Sequence, residues 1–262
     1  MSASVSGLVV TAVKGMRVRA VEAVELTAVG ARGNRSFYVI DERGQMLNGK
    51  RHGGLQTIVP DYDINAGTLT LTFPDGGRVE GTVALGEPVQ TIFHGRPRRS
   101  PEVLGPWAAA MSEHFGEPMR LVAADTAVDR GRQAAASLIS SASLRQLAQA
   151  GETDSVDPRR FRMLIEVEGI GPHEEDEWVG RRVRVGEALL AFHGFVGRCM
   201  ITTRNPETAV VDFPTLKLLA GYRMDHPSEE PLPFGIYGEV LVPAAVRLGD
   251  PVSVQARAQV AR

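Results

Sequence analysis

Apolar and polar positions alternate in short runs through the first third of the chain, and turn residues cut the runs apart. Residues 8–13 are compact and β-branched, and residues 24–29 alternate as a half-buried strand does before ending at Gly30. Residues 37–40 predict a strand, followed by a hairpin-type connection over 41–44. The cleanest period-two run is 68–73, and Pro74-Asp75-Gly76-Gly77 predicts a turn into a further strand over 78–83. Closely spaced strands of this kind predict a small barrel or sandwich.

Helical spacing appears next. Ser100-Pro101 places a capping residue before a proline at the first helical position, predicting a helix to about Phe115 with Gly116 beyond it. Ser140 or Ser141 predicts the cap of a short helix carrying Leu144 and Leu147 and stopped by Gly151. Asp157-Pro158 opens a single turn. Strands are then expected over 164–167, 182–185, 189–192, 200–203, 236–242 and 252–256, interrupted by a helix over 215–222. In that helix Leu216, Leu219 and Tyr222 share a face. The whole reads as an α+β, β-rich chain: an N-terminal part over 1–95, a linker and helix over 96–120, and a second part over 121–262. Arg96-Pro97-Arg98-Arg99-Ser100-Pro101 reads as the linker.

Composition narrows the function. With 43% hydrophobic and 23% charged residues the chain has ample material for a core. The formal net charge of −2 supplies no electrostatic argument for nucleic acid. Met1-Ser2-Ala3-Ser4-Val5-Ser6-Gly7 has neither a basic region nor a long apolar run, and no later stretch is apolar enough to span a bilayer. A soluble, cytoplasmic protein is expected.

No serine-nucleophile elbow, P-loop or dinucleotide fingerprint is present. Glu174-Glu175-Asp176-Glu177 could be imagined as a metal cluster, but neighbouring carboxylates point apart, so a solvated turn is expected. The basic run at 96–99 likewise reads as solvated. The informative residue is the single cysteine, Cys199. One thiol closes no internal disulfide and builds no multi-cysteine metal or iron–sulfur site. It is a buried apolar filler, a reactive thiolate, or the one protein ligand of a metal carried by something else. Arg198 beside it favours the thiolate. His193, six residues earlier, makes a Cys–His nucleophilic pair conceivable.

Several segments, taken in order, resemble one family. Val13-Lys14-Gly15-Met16 and Gly30-Ala31-Arg32-Gly33-Asn34-Arg35-Ser36-Phe37 are similar to the N-terminal β-barrel of MOSC proteins (molybdenum cofactor sulfurase C-terminal domain). Ser140-Ser141-Ala142-Ser143-Leu144 falls where that family has a serine-rich turn, and Phe161-Arg162 where it has an F-R pair. Gly197-Arg198-Cys199, with Thr202-Thr203 and Asn205-Pro206-Glu207-Thr208, resembles the signature R-C-x-x-T-T-x-x-P-x-T. The resemblance extends to the amidoxime reducing component family and implies two β-barrel domains in succession.

It further implies that Cys199 ligates molybdenum in a molybdopterin-type cofactor and is the catalytic residue. A soft thiolate suits a thiophilic metal, and the cofactor carries the redox work. Lys14, Arg35, Arg162 and Arg198 would anchor the cofactor's phosphate and pterin, and Ser140 and Ser143 would donate hydroxyl hydrogen bonds to the pterin edge. The implied activity is reduction of N-hydroxylated small molecules. One cysteine cannot hold an iron–sulfur relay, and no flavin or haem motif is recognisable, so electrons would come from a separate ferredoxin, flavoprotein or cytochrome-type protein. The chain also departs from the family: Met163-Leu164 replaces P-N after F-R, and Gly15 and Gly197 stand where some members have serine. Those losses thin the polar shell that metal sites depend on. They leave open a MOSC-fold protein without molybdenum, using Cys199 as a sulfur-carrying or nucleophilic thiolate, or a non-catalytic binding module.

Overall fold

The computed structural model describes residues 2–50, 52–124 and 131–255. The fold is α+β and β-rich, with strands in sheets of eight, five, three and three. The eight-stranded sheet runs Val252–Val254, Arg182–Val185, Ala188–Gly197, Pro233–Val242, Ala136–Ser140, Ile165–Glu168, Ser4–Val10 and Arg19–Ala20. The chain's first long strand therefore lies in the sheet built by its second half, where Val5 and Leu8 join Leu138, Ile165 and Val183 in one core. A second core gathers Val13, Phe37, Leu55, Leu71, Trp107 and Leu121.

The expected barrels are not closed. Ser4–Val10 curls back toward Val252–Val254 and meets it at one isolated bridge, Ser4 to Pro251. Val5 N–H donates to Asp250 O and Val252 N–H to Ala3 O, both at 2.9 Å, but Pro251 has no N–H with which to extend a ladder. The N-terminal strands instead divide among the three smaller sheets, apart from those that join the large one.

The alternating run at 68–73 forms Thr68–Thr72, centre of a three-stranded meander with Val59–Asp63 and Arg78–Thr82. The linker expected at 96–101 is strand: Arg96–Leu104 pairs with Ala84–Phe93 along a long hairpin. His94 (φ 48°) and Gly95 (φ 77°) both take the left-handed conformation that a tight two-residue hairpin demands. Ser100 is therefore no helix cap; its Oγ meets the Tyr38 hydroxyl at 2.6 Å in the core. The helix begins later, at Trp107–Phe115, pinned by the Trp107 indole N–H donating to Leu69 O at 3.0 Å and ended by Gly116 (φ 70°).

Ser141–Ala150 forms as expected, with Ser140 as its cap. Thr215–Arg223 also forms and buries Leu219. The strand expected over 200–203 is a 3₁₀ turn, Met200–Thr203, because its two threonine hydroxyls bond carbonyls three residues back. The last strand is Val252–Val254; Ala256, included in the expected strand, lies outside the described residues.

Candidate functional site around Cys199

Cys199 stands just beyond the long strand Ala188–Gly197 and caps the Met200–Thr203 turn in extended backbone (φ −139°, ψ 178°). Its carbonyl accepts from both the N–H and the hydroxyl of Thr202 at 3.0 Å, which fixes the backbone under the thiol. The side chain is partly exposed, unlike an inert core cysteine. Among the described residues, no three His, Cys, Asp or Glu side chains converge as metal ligands.

Arg198 points the other way, into the core, with 7% exposure. Its Nε donates to Phe234 O at 2.8 Å, Nη1 to Phe161 O at 3.0 Å, and Nη2 to both Phe234 O and the Met163 sulfur. Burial pushes the guanidinium down to about 9, opposed by the charge of the neighbouring Cys199. Arg198 thus clamps the Phe161–Met163 segment and the strand carrying Phe234 to the chain beside the thiol. Met163, in the position where the resembling family has proline, supplies one of the contacts.

Arg35 and Arg162 come together. Arg35 Nη2 donates to the Arg162 carbonyl at 2.9 Å, joining the N-terminal part to the turn that Arg198 clamps. Both have positive φ, 52° and 57°, a strained backbone for arginine. Lys14 lies on the short strand beside Phe37–Asp41, with its ammonium 5.6 Å from the Phe93 ring centroid. The loop after that strand runs against the turn that carries the thiol. A Cβ added at Gly49 would lie 2.4 Å from Ile201 Cδ1.

Ser140 and Ser143 are wholly buried and have internal partners. Ser143 Oγ donates to Glu175 Oε1 at 2.7 Å and accepts the His173 N–H at 2.8 Å. Ser140 Oγ lies 2.8 Å from Ser143 Oγ and accepts the Ser143 N–H at 3.0 Å. Because the Ser143 hydrogen goes to Glu175, the Ser140 hydrogen goes to Ser143. Neither hydroxyl retains a hydrogen for an outside acceptor.

The acidic run is a turn, as expected, but only Glu174 and Glu177 are solvated. Within the 3₁₀ turn Glu174–Trp178, Glu175 is 0% exposed and Asp176 pairs with Arg223 at 2.6 Å and His226 at 3.5 Å. Burial raises the Glu175 carboxyl above the ordinary range, against the Ser143 hydrogen bond that lowers it. The available signal was Trp178: in a 3₁₀ turn residues three apart share an edge, so a buried tryptophan carries Glu175 inward with it. His193 pairs with Glu239 at 3.1 Å, so that imidazole is held by a carboxylate.

An open β-rich architecture, with a partly exposed thiol following a buried arginine at the end of a long strand, defines the class, and the chain belongs to the MOSC domain family. The MOSC domain matches residues 112–253, and the MOSC N-terminal beta barrel domain matches residues 2–96. Among curated relatives, mitochondrial amidoxime reducing component 2 of Bos taurus is 27% identical, over 95% of this chain and 82% of its own. Mitochondrial amidoxime-reducing component 1 of Xenopus laevis is 26% identical, over 95% of this chain and 81% of its own. Among solved structures, the YUAD protein from Bacillus subtilis covers 97% of this chain and 96% of its own at 13% identity, with a TM-score of 0.47.

Proposed function

We propose that this chain is an oxidoreductase that binds a molybdenum cofactor through Cys199 and reduces N–O bonds of N-hydroxylated substrates. The observation that carries the reading is the placement of Cys199: partly exposed and backbone-fixed, behind an arginine clamp whose Phe161–Met163 segment includes Arg162, the partner of Arg35. Amidoxime reduction, named in the two long-matching relatives, is the activity class it supports.

The donor set fits such a group in its main parts. A soft thiolate suits a thiophilic metal, and Lys14, Arg35 and Arg162 present cationic donors suited to a phosphate and a polar ring system. Arg198 fits as a support, since its donors already hold Phe161, Met163 and Phe234. Ser140 and Ser143 fit as supports too, through Glu175. When bound, the cofactor supplies two-electron redox chemistry at the metal. The chain's own contribution is to hold one thiolate at a fixed position and to place cations around the organic part.

For a hydroxylamine-like substrate the reaction is R–NH–OH plus two electrons and two protons giving R–NH₂ and water. The electrons come from a separate electron-transfer protein. No helix among the described residues is long and apolar enough to cross a membrane. The second reading, a metal-free MOSC protein using the Cys199 thiolate as sulfur carrier or nucleophile, is favoured by one observation: the serine hydroxyls already have internal acceptors.

The test is turnover of an aromatic amidoxime to its amidine by cofactor-loaded protein under a chemical reductant, beside Cys199→Ser. Turnover lost in the variant supports the reading. A molybdenum-loaded wild type with no turnover on any N-hydroxylated compound contradicts it, and a persulfide on Cys199 in metal-free protein favours the second reading.

A further inference from the structure

A group of polar atoms lies in the core behind the thiol, and the reading above does not use it. Glu175 Oε1 accepts the Ser140 N–H at 3.1 Å and the Ser143 hydroxyl at 2.7 Å, whereas Oε2 is buried and has no protein partner. The Tyr222 hydroxyl and both ring nitrogens of His173 are buried in the same state. The His173 and Tyr222 rings are 5.7 Å apart, and Tyr222 lies within electrostatic reach of Glu175. These side chains come from two elements packed on the serine-capped helix: the Glu174–Trp178 turn with its cap His173, and the helix Thr215–Arg223. The cation beside Tyr222 is committed elsewhere, since Arg223 Nη2 donates to Asp176 at 2.6 Å and Nε to Pro233 O at 3.0 Å. His226 lies 3.5 Å from the same Asp176 carboxylate, and both Arg223 and His226 act electrostatically on His173.

Buried polar groups in native proteins are satisfied, and an enclosure offering roughly two to four polar partners is where internal water resides. We propose that Glu175, His173 and Tyr222 form a buried site that takes solvent water and holds Glu175 as a neutral carboxylic acid. An ionised carboxylate in the core with one bare oxygen and no cation would be far more costly than the protonated group. A proton on Oε2 turns that oxygen into a donor, the Tyr222 hydroxyl is a second donor and acceptor, and a neutral His173 offers one of each. The electrostatics point the same way: burial raises Glu175, pushes Tyr222 up to about 12 and takes His173 down to about 4, each a shift toward the uncharged form.

The site backs directly onto the clamp. The His173 ring lies 5.6 Å from that of Phe234, whose carbonyl receives Arg198. It is independent of the molybdenum reading, and metal-free protein is the right sample. The test is infrared spectroscopy of the full-length protein at neutral pH. The expected result is a carboxylic-acid carbonyl band that disappears completely in Glu175→Gln and shifts in Tyr222→Phe, which removes only a hydroxyl. A wild-type spectrum without that band, or a band unmoved by Tyr222→Phe, overturns the proposal. Should Glu175→Gln fail to fold, the Tyr222→Phe shift decides it.

Discussion

Replacing Arg198 by methionine tests whether the residue beside the thiol is a clamp. The substitution keeps an unbranched apolar stem and removes the donors. Phe234 O then loses its bonds from Nε (2.8 Å) and Nη2, and Phe161 O loses its bond from Nη1 (3.0 Å). A buried carbonyl left unpartnered costs about 1–3 kcal/mol, so two cost about 2–6. Removing a cation that burial has already pushed down to about 9 returns part of its desolvation cost. The net loss is about 2–4 kcal/mol, which for a chain of this size lowers Tm by roughly 5–15 °C. Urea titration with an unchanged m-value is the primary assay, and the rate of thiol labelling at Cys199 is the second. Losing the clamp frees the segment beneath the thiol, while losing the cation disfavours the thiolate. Labelling is therefore read at alkaline pH, where the thiol is ionised in both proteins, and should there be faster in the variant. Arg198→Lys should recover only a minor part, since an ammonium cannot reproduce the planar fork across Phe161, Met163 and Phe234. A stability loss under about 0.5 kcal/mol, within the range of an ordinary surface change, would refute the clamp.

Three further outcomes follow from the same geometry. The folded-state pKa of His173 is depressed to about 4, chiefly by burial, so its contribution is complete above pH 6.5 and is lost as pH falls toward 4. After discounting for its partial exposure this is about 1–2 kcal/mol, and His173→Asn, tolerant of the local φ of 59°, should flatten that part of the stability–pH curve. A Cβ on Gly238 would lie 2.1 Å from Ala191 O, so Gly238→Ala should cost about 3 kcal/mol or more by forcing the two longest strands of the large sheet apart, measurable by calorimetry. Arg35→Met should leave the fold intact by circular dichroism and reduce retained molybdenum about tenfold on dialysis; unchanged retention would remove Arg35 from the cofactor site.

Much of the fold was legible because local pattern and tertiary role agree. Residues 68–73 alternate and lie at the centre of a meander that buries Leu69 and Leu71 wholly; Ser140 and Gly151 bound their helix as capping chemistry requires. The failures have physical causes. Ser100-Pro101 carries the local signature of a helix start, but the His94-Gly95 turn commits the segment to a hairpin first. Residues 200–203 are β-branched enough to read as strand, yet the hydroxyls of Thr202 and Thr203 close a turn. In the site, the type and order of residues around Cys199 were readable, whereas the directions of side chains were not. Arg198 turns inward although its neighbour is partly exposed, and Ser140 and Ser143 face a glutamate that charge density alone placed in solvent. Direction depends on which partner the core supplies, and that partner lies about thirty residues or more away in each case.

Whether Cys199 is the protein's ligand to molybdenum is tested most directly by the metal content per chain, measured by mass spectrometry, of protein expressed with cofactor supply and of Cys199→Ser prepared in parallel. Near-stoichiometric molybdenum is expected in the wild type, with its loss in the variant at equal folded yield. Wild-type protein that emerges empty, or a serine variant that keeps its metal, would contradict that assignment.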